Sequence, residues 1–225
     1  MQLNEVVRDY EALLRRDPKY VATYIAYGLL LNTTGQARRS YEIFKKAETL
    51  APDLPVVKNQ IGNHHAEEGE YEQALEYYRG ALALSPKEAL YHYQLGSLLY
   101  EYREYFVDAG TLNREALLRD SAQAFARAAE LAPDNIAYAY RHAESFYDLP
   151  AADWPGALAA WKALEQRMKA GVELQTVQLH EANVLIQLDR KDEARALLDQ
   201  ITAEPLRTNK EKLVAQLGAT PETTP

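Results

Sequence analysis

Ile61–Pro86 reads IGNHHAEEGEYEQALEYYRGALALSP. Gly62 sits inside an amphipathic stretch, Gly69 interrupts it, and Ala74, Tyr78 and Ala81 then recur at three- and four-residue steps before Pro86. Those steps mark one face of a helix. The stretch therefore predicts two helices joined by a tight turn at Gly69. Proline ends the second, because its ring cannot follow a helical turn and biases its predecessor away from α geometry. Moving 34 residues toward the amino terminus returns the same phrase as Tyr27-Gly28, Gly35, Ser40, Phe44, Ala47 and Pro52. Pro18, Pro52 and Pro86 share that 34-residue step, and Leu131-Ala132-Pro133-Asp134 repeats Leu50-Ala51-Pro52-Asp53. A fixed period of this size predicts stacked helix pairs, so function is to be sought on a surface the stack creates.

Gly28, Gly62 and Gly96 fall in mid-helix, where glycine costs about 1 kcal/mol relative to alanine. Three such glycines in register call for a close approach by the paired helix, which carries Ser40, Ala74 and Ser121 or Ala122 at the matching places. Phe44, Tyr78 and Phe125 are expected to fill the space beside that contact, and Ala47, Ala81 and Ala128 to admit the next unit. This pattern resembles the tetratricopeptide repeat (TPR) family over most of the chain. The resemblance implies an all-α fold, a TPR-type right-handed superhelix (α-solenoid) of about five antiparallel helix pairs. The first helices of the pairs would line a concave groove.

On this reading residues 1–218 form a single solenoid. A helix at 3–17, with Val6, Tyr10 and Leu13 on one face, caps the amino end or is the remnant of a truncated repeat. Repeats follow at about 21–54, 55–88, 89–135, 136–171 and 173–205. The third repeat is 13 residues longer than the period. Its excess reads as an elongated, protruding hairpin, Tyr100 to Val107 and Asn113 to Asp120, around the turn 108–111. Phe106 and Val107 near its tip are either a patch for self-association or a locally buried cluster. The fourth repeat keeps Ala139, Ala143, Phe146, Ala157, Trp161 and Leu164, with Asp153 as a helix cap and Pro155 in the first turn. Thr208 to Glu211 reads as a capping box opening a closing helix at 208–217. Residues 219–225 read as a disordered tail.

The groove supplies the candidate site. First-helix positions turned from the partner helix are Asn59 and Asn63 in the second repeat, and Tyr93, Gln94, Ser97 and Tyr100 in the third. Tyr140, Arg141, Glu144 and Tyr147 follow in the fourth, and Asn183 in the fifth. Amides can bond an extended peptide backbone, while tyrosine gives apolar area with a polar tip. The expected partner is thus a protein or peptide. The rival expectation is an assembly protein, a possible homo-oligomer, acting through the hairpin and exposed helical faces without a groove ligand. One TPR subset clamps a carboxylate-ended peptide with lysine, asparagine and arginine. Asn63 matches such an asparagine, but Ala22, Ile25 and Leu29 occupy neighbouring groove positions, so that use is not expected.

No enzyme is expected, and no cofactor or metal. No P-loop, dinucleotide fingerprint, nucleophile elbow or HExxH motif is present. His64 and His65 are adjacent and point about 100° apart, which rules out chelation as an i, i+4 pair. His65 is expected on the packing face and His64 in solvent. The acids around Gly69 read as a solvated loop face. There is no cysteine, which excludes disulfides and thiolate sites. A net charge of −8 disfavours nucleic acid and anionic membranes, which require a basic footprint. The longest apolar run, Tyr24 to Leu31, is too short for membrane insertion. The compartment stays open between the cytoplasm, which is favoured, and export with a signal removed. Sixteen tyrosines against four phenylalanines suit half-buried places in a thin, two-layer array.

Overall fold

The computed structural model describes residues 3–218 and is helical throughout them. Two compact units divide the chain between Leu112 and Asn113. The first holds α1 (Leu3–Arg16), α2 (Val21–Thr33), α3 (Ala37–Leu50), α4 (Pro55–Glu67), α5 (Tyr71–Leu84), α6 (Ala89–Glu101) and α7 (Arg103–Asp108). The second holds α8 (Arg114–Leu131), α9 (Ile136–Ser145), α10 (Trp154–Glu165), α11 (Val172–Gln187), α12 (Lys191–Gln200) and α13 (Arg207–Gly218), with short 3₁₀ turns after α9 and before α13. The end of the closing helix is described; the proposed tail at 219–225 lies outside the described residues.

In the first unit, α2 pairs with α3 and α4 with α5, and α3 and α5 also pack on the helix that follows each. The turn glycines Gly35 and Gly69 adopt φ of 75° and 80°, a left-handed geometry that side chains resist. The mid-helix glycines do something more specific than admit a backbone. A Cβ on Gly28 would stand 2.7 Å from the tip of the Phe44 ring, and one on Gly62 would stand 2.8 Å from the Tyr78 ring. The aromatic ring of the second helix occupies the place of the missing side chain. Ser40 adds a bond from its Oγ to the Gly28 carbonyl at 2.8 Å.

The proline stops are also tied down. Tyr24 donates its hydroxyl to the Pro18 carbonyl at 3.0 Å, and His92 Nε2 lies 2.9 Å from the Pro86 carbonyl. Both side chains stand six residues after their proline, so the contact is shared by the first and third repeats, whereas Lys58 holds that place in the second.

The ends differ in detail from the sequence expectation. On α1 the residues packed on the core are Val7, Tyr10 and Leu14, whereas Leu13 is exposed. The inward face is therefore rotated by one position. The inserted length of the third repeat is not one continuous arm on its first side. The helix breaks at Tyr102 (φ −106°, ψ 24°), and α7 begins at once. Tyr102 stacks on Tyr71 of α5 with centroids 3.9 Å apart, and Tyr105 bonds Glu72 of the same helix. Phe106 is fully buried, so the buried-cluster alternative holds for it.

In the second unit, Asn113, Asn135 and Asp153 each cap a helix by accepting a backbone N–H. Pro155 stands in the first turn of α10. The final helix starts at Arg207 after a 3₁₀ turn, which places Thr208 inside it rather than at its cap. Its Leu213 and Leu217 join a core built around Trp161, Ala182, Ala194, Leu198 and Ile201. At Asp189 the chain takes φ 56°, at the repeat position that Gly35 and Gly69 hold. Aspartate is among the few side chains that tolerate this region.

Gly28→Ala would gain about 1 kcal/mol of helix propensity, yet it must drive the buried Phe44 ring from its seat. The expected result in urea denaturation is a net loss of about 1–3 kcal/mol. Adding Phe44→Leu should recover part of it, a non-additivity that identifies the contact. A Gly28→Ala protein more stable than its parent would refute the ring-seat account.

Candidate functional site

The first helices of the first unit are joined by amide rungs. Asn32 Nδ2 of α2 donates to Gln60 Oε1 of α4 at 3.0 Å. Asn63 Oδ1 of α4 accepts from Gln94 Nε2 of α6 and from the Tyr78 hydroxyl of α5, both at 2.8 Å. Burial, with the nearby carboxylates of Glu67 and Glu101, raises the pKa of Tyr78, so it stays a neutral donor. Above the second rung α4 and α6 leave a cleft of about 450 Å³, lined by Asn63, Tyr93, Gln94, Ser97, Glu101 and Tyr102 among others. The Oε1 of Gln94 is buried without a partner.

Four of the sequence-derived candidates, Asn63, Tyr93, Gln94 and Ser97, thus share one cleft. Asn59 does not reach it as a surface residue: only 1% of it is exposed, and its Oδ1 is buried without a partner. Tyr100 lies outside the lining, at the end of α6, where the Arg103 guanidinium stands 4.8 Å over its ring. Ala22 and Leu29 on α2 are exposed and Ile25 is half-buried. They give that helix an apolar face.

The remaining candidates belong to the second unit. Arg141 pairs with Glu144 at 3.1 Å and lays its guanidinium 4.9 Å over the Phe125 ring. Tyr140 and Tyr147 close on His180 of α11, with hydroxyls 3.1 Å from Nε2 and 3.2 Å from Nδ1 respectively. The His180 ring stacks on buried Trp161 at 4.3 Å, nearly parallel. Burial lowers the His180 pKa, keeping the ring neutral. Burial likewise pushes Tyr147 up to about 12, against the lowering effect of a hydrogen bond from Asn183. Tyr140, Tyr147 and Asn183 are therefore held in a packed aromatic cluster, a scaffold role that sequence spacing did not separate from a groove role.

The histidines at 64 and 65 are both part of a ladder. His64 stacks on Tyr41 at 4.1 Å, which places it against α3 rather than in solvent, and His65 stacks on Tyr77 at 5.3 Å. Among the described residues no three His, Cys, Asp or Glu side chains are grouped as for a metal ion. No helix among them is long and apolar enough to cross a membrane.

Sequence reasoning missed Glu67, Glu101 and Tyr102 in the cleft, because it followed amides and earlier tyrosines. It also missed Glu181 on α11. This side chain is 2% exposed, with Oε1 unpartnered, at the repeat position of Ile61. The available signal was that apolar equivalence. Burial, reinforced by Glu165 and opposed by Lys162, pushes its pKa up to about 7.

Paired helices, a proline-closed period and a first-helix cleft define a helical-repeat protein of the interaction-scaffold type. Residues 62–101 match the sequence model of the TPR repeat. Over those residues the chain is similar to the tetratricopeptide-repeat family, a match of under a fifth of its length. It is similar to the probable UDP-N-acetylglucosamine--peptide N-acetylglucosaminyltransferase SPINDLY of Arabidopsis thaliana, at 34% identity over 73 residues. That match covers 32% of this chain and only 8% of the relative. Among solved structures it is similar to YrrB, a TPR protein with an unusual peptide-binding site, at 14% identity and a TM-score of 0.72. The match covers 92% of this chain and 97% of YrrB. It is also similar to pilF of Pseudomonas aeruginosa, at 15% identity and a TM-score of 0.67, over 95% of this chain and 90% of that one. At these identities the structural likenesses are of fold.

Because Glu181 is more basic folded than unfolded, the native state holds the extra proton between about pH 4.5 and 7. Its contribution to stability is full below that window and is lost as pH rises through it. Glu181→Gln should flatten that fall and be more stable than the parent at pH 8, by on the order of 1–3 kcal/mol. Denaturant midpoints of both proteins at pH 5 and pH 8 check this; parallel pH profiles would contradict it.

Proposed function

We propose that the protein is a non-catalytic binding module that holds a peptide or protein segment in the cleft between α4 and α6. The observation carrying this reading is the convergence of Asn63, Tyr93, Gln94 and Ser97 on one opening of about 450 Å³. That volume suits one or two side chains of an extended segment rather than an enclosed small substrate. Supporting it, YrrB shares the fold and has a peptide-binding site of its own.

The mechanism is preorganisation. The Asn63 bonds to Gln94 and Tyr78 fix the cleft floor before the partner arrives, so little ordering entropy is lost on the receptor side. A non-catalytic role agrees with the engagement of the candidate acid–base groups of the second unit. Arg141 is paired with Glu144, and His180 is stacked and hydrogen-bonded. A net charge of −8 supports a protein partner over nucleic acid.

Ser97→Trp puts a large ring into the cleft from a half-buried helix position. The expected outcome is an unchanged helical circular-dichroism spectrum, with loss from affinity capture of the proteins that the unaltered chain retains from cell lysate. Retention of the same set by the Ser97→Trp protein would overturn the assignment of the cleft.

A further inference from the structure

Resting on that reading, we infer that the α4–α6 cleft selects a segment carrying a lysine or arginine, whose cationic head sits between Glu67 and Glu101 against the tyrosine rings. The cleft lining contains no lysine, arginine or histidine. Its two carboxylates stand at equivalent positions of successive repeats, 34 residues apart, at the ends of α4 and α6. Neither makes a hydrogen bond or ion pair with any described residue, whereas Glu42, Glu115, Glu130 and Glu193 on other helices each find an arginine. Both are near enough to the Tyr78 hydroxyl to act on its titration, which fixes them on the same opening.

The donor and acceptor inventory points the same way. Two of the lining's donors, the Tyr78 hydroxyl and Gln94 Nε2, are already committed to Asn63 Oδ1. The Tyr102 hydroxyl is engaged with Tyr71. Asn63 Nδ2 and the Ser97 hydroxyl remain as donors, whereas the Glu67 and Glu101 carboxylates only accept and make the charge of the lining wholly negative. Ammonium and guanidinium, which only donate, complement that charge. The rings of Tyr93 and Tyr102 border the same opening and favour a cation over their faces. A carboxylate or phosphate would meet the repulsion of both carboxylates there.

The test uses the full chain and acetylated, amidated pentapeptides Ala-Ala-X-Ala-Ala, with X lysine, arginine, norleucine or glutamate, followed by two-dimensional NMR. Lysine or arginine peptides should shift the amides of Glu67, Tyr93, Ser97 and Glu101, and the other two should not. Glu67→Gln with Glu101→Gln should weaken binding about five- to tenfold. The equal charge change Glu68→Gln with Glu88→Gln, at exposed acids outside the lining, should leave it unchanged. Equal shifts from the norleucine peptide would leave the cleft as a binding site and overturn its preference for a cation. Equal losses in the two double variants would reduce the effect to overall charge and overturn it too. If no peptide moves the cleft amides, the inference falls, and the Ser97→Trp capture experiment decides separately whether the cleft binds anything.

Discussion

The first two repeats are each held by an aromatic ring seated where a glycine has no side chain. Phe44 fills the place over Gly28 and Tyr78 the place over Gly62, each under 3 Å from the position a Cβ would take. At such a distance neither partner can be changed alone. The glycine sacrifices about 1 kcal/mol of helix propensity, and the ring returns more by burying its area in a close-packed interior. This reciprocal fit sets the angle between paired helices, and hence which first-helix residues face outward. The cleft follows from it, since Tyr78 carries the ring that sits on Gly62 and the hydroxyl that bonds Asn63.

That double duty explains why the first-helix face is only partly available for binding. An asparagine or glutamine on it can either tie two helices together or meet a partner. Gln60 ties α4 to α2, and Asn63 accepts from both α5 and α6. The amides thus act chiefly as rungs. What they leave open is the space above them, bordered by Tyr93, Tyr102 and the carboxylates of Glu67 and Glu101.

Helix pairs, turns and the ring-bearing positions were legible in the sequence because they are fixed by local rules and a repeated period. Gly28 with Phe44, Gly62 with Tyr78, the φ-positive Gly35 and Gly69, and the Asp153 cap all fall in this class. Features that depend on a rotation of one residue were not. A helical wheel places Leu13 with Tyr10, whereas α1 turns enough to bury Leu14 instead. Asn59 is one helical turn before Asn63, yet it is buried while Asn63 lines the cleft. The break at Tyr102 is set by its stacking on Tyr71, thirty-one residues earlier, and no local signal announces it. The tyrosines at 140 and 147 could not be sorted into groove or scaffold without knowing that His180 and Trp161 meet them.

The second unit shows what happens when the repeat rule is relaxed at one position. Ile61 in the first unit is fully buried, and its equivalents in the second are His142 and Glu181. Both are ionisable, and burial pulls them in opposite senses, His142 downward and Glu181 up to about 7. A histidine that is harder to protonate when folded withdraws stability as pH falls below 6.5. His180, also lowered by burial, adds to that loss. Glu181 withdraws stability as pH rises from about 4.5 to 7. Where the windows overlap the two senses oppose one another, so the histidines and the carboxyl partly cancel in the pH dependence of stability. Glu181→Gln removes the carboxyl side of that balance and should leave a profile that rises more steeply with pH between pH 5 and 7. Denaturant midpoints taken every half unit would expose this directly, and an unchanged profile would mean that Glu181 titrates in the native state much as it does unfolded.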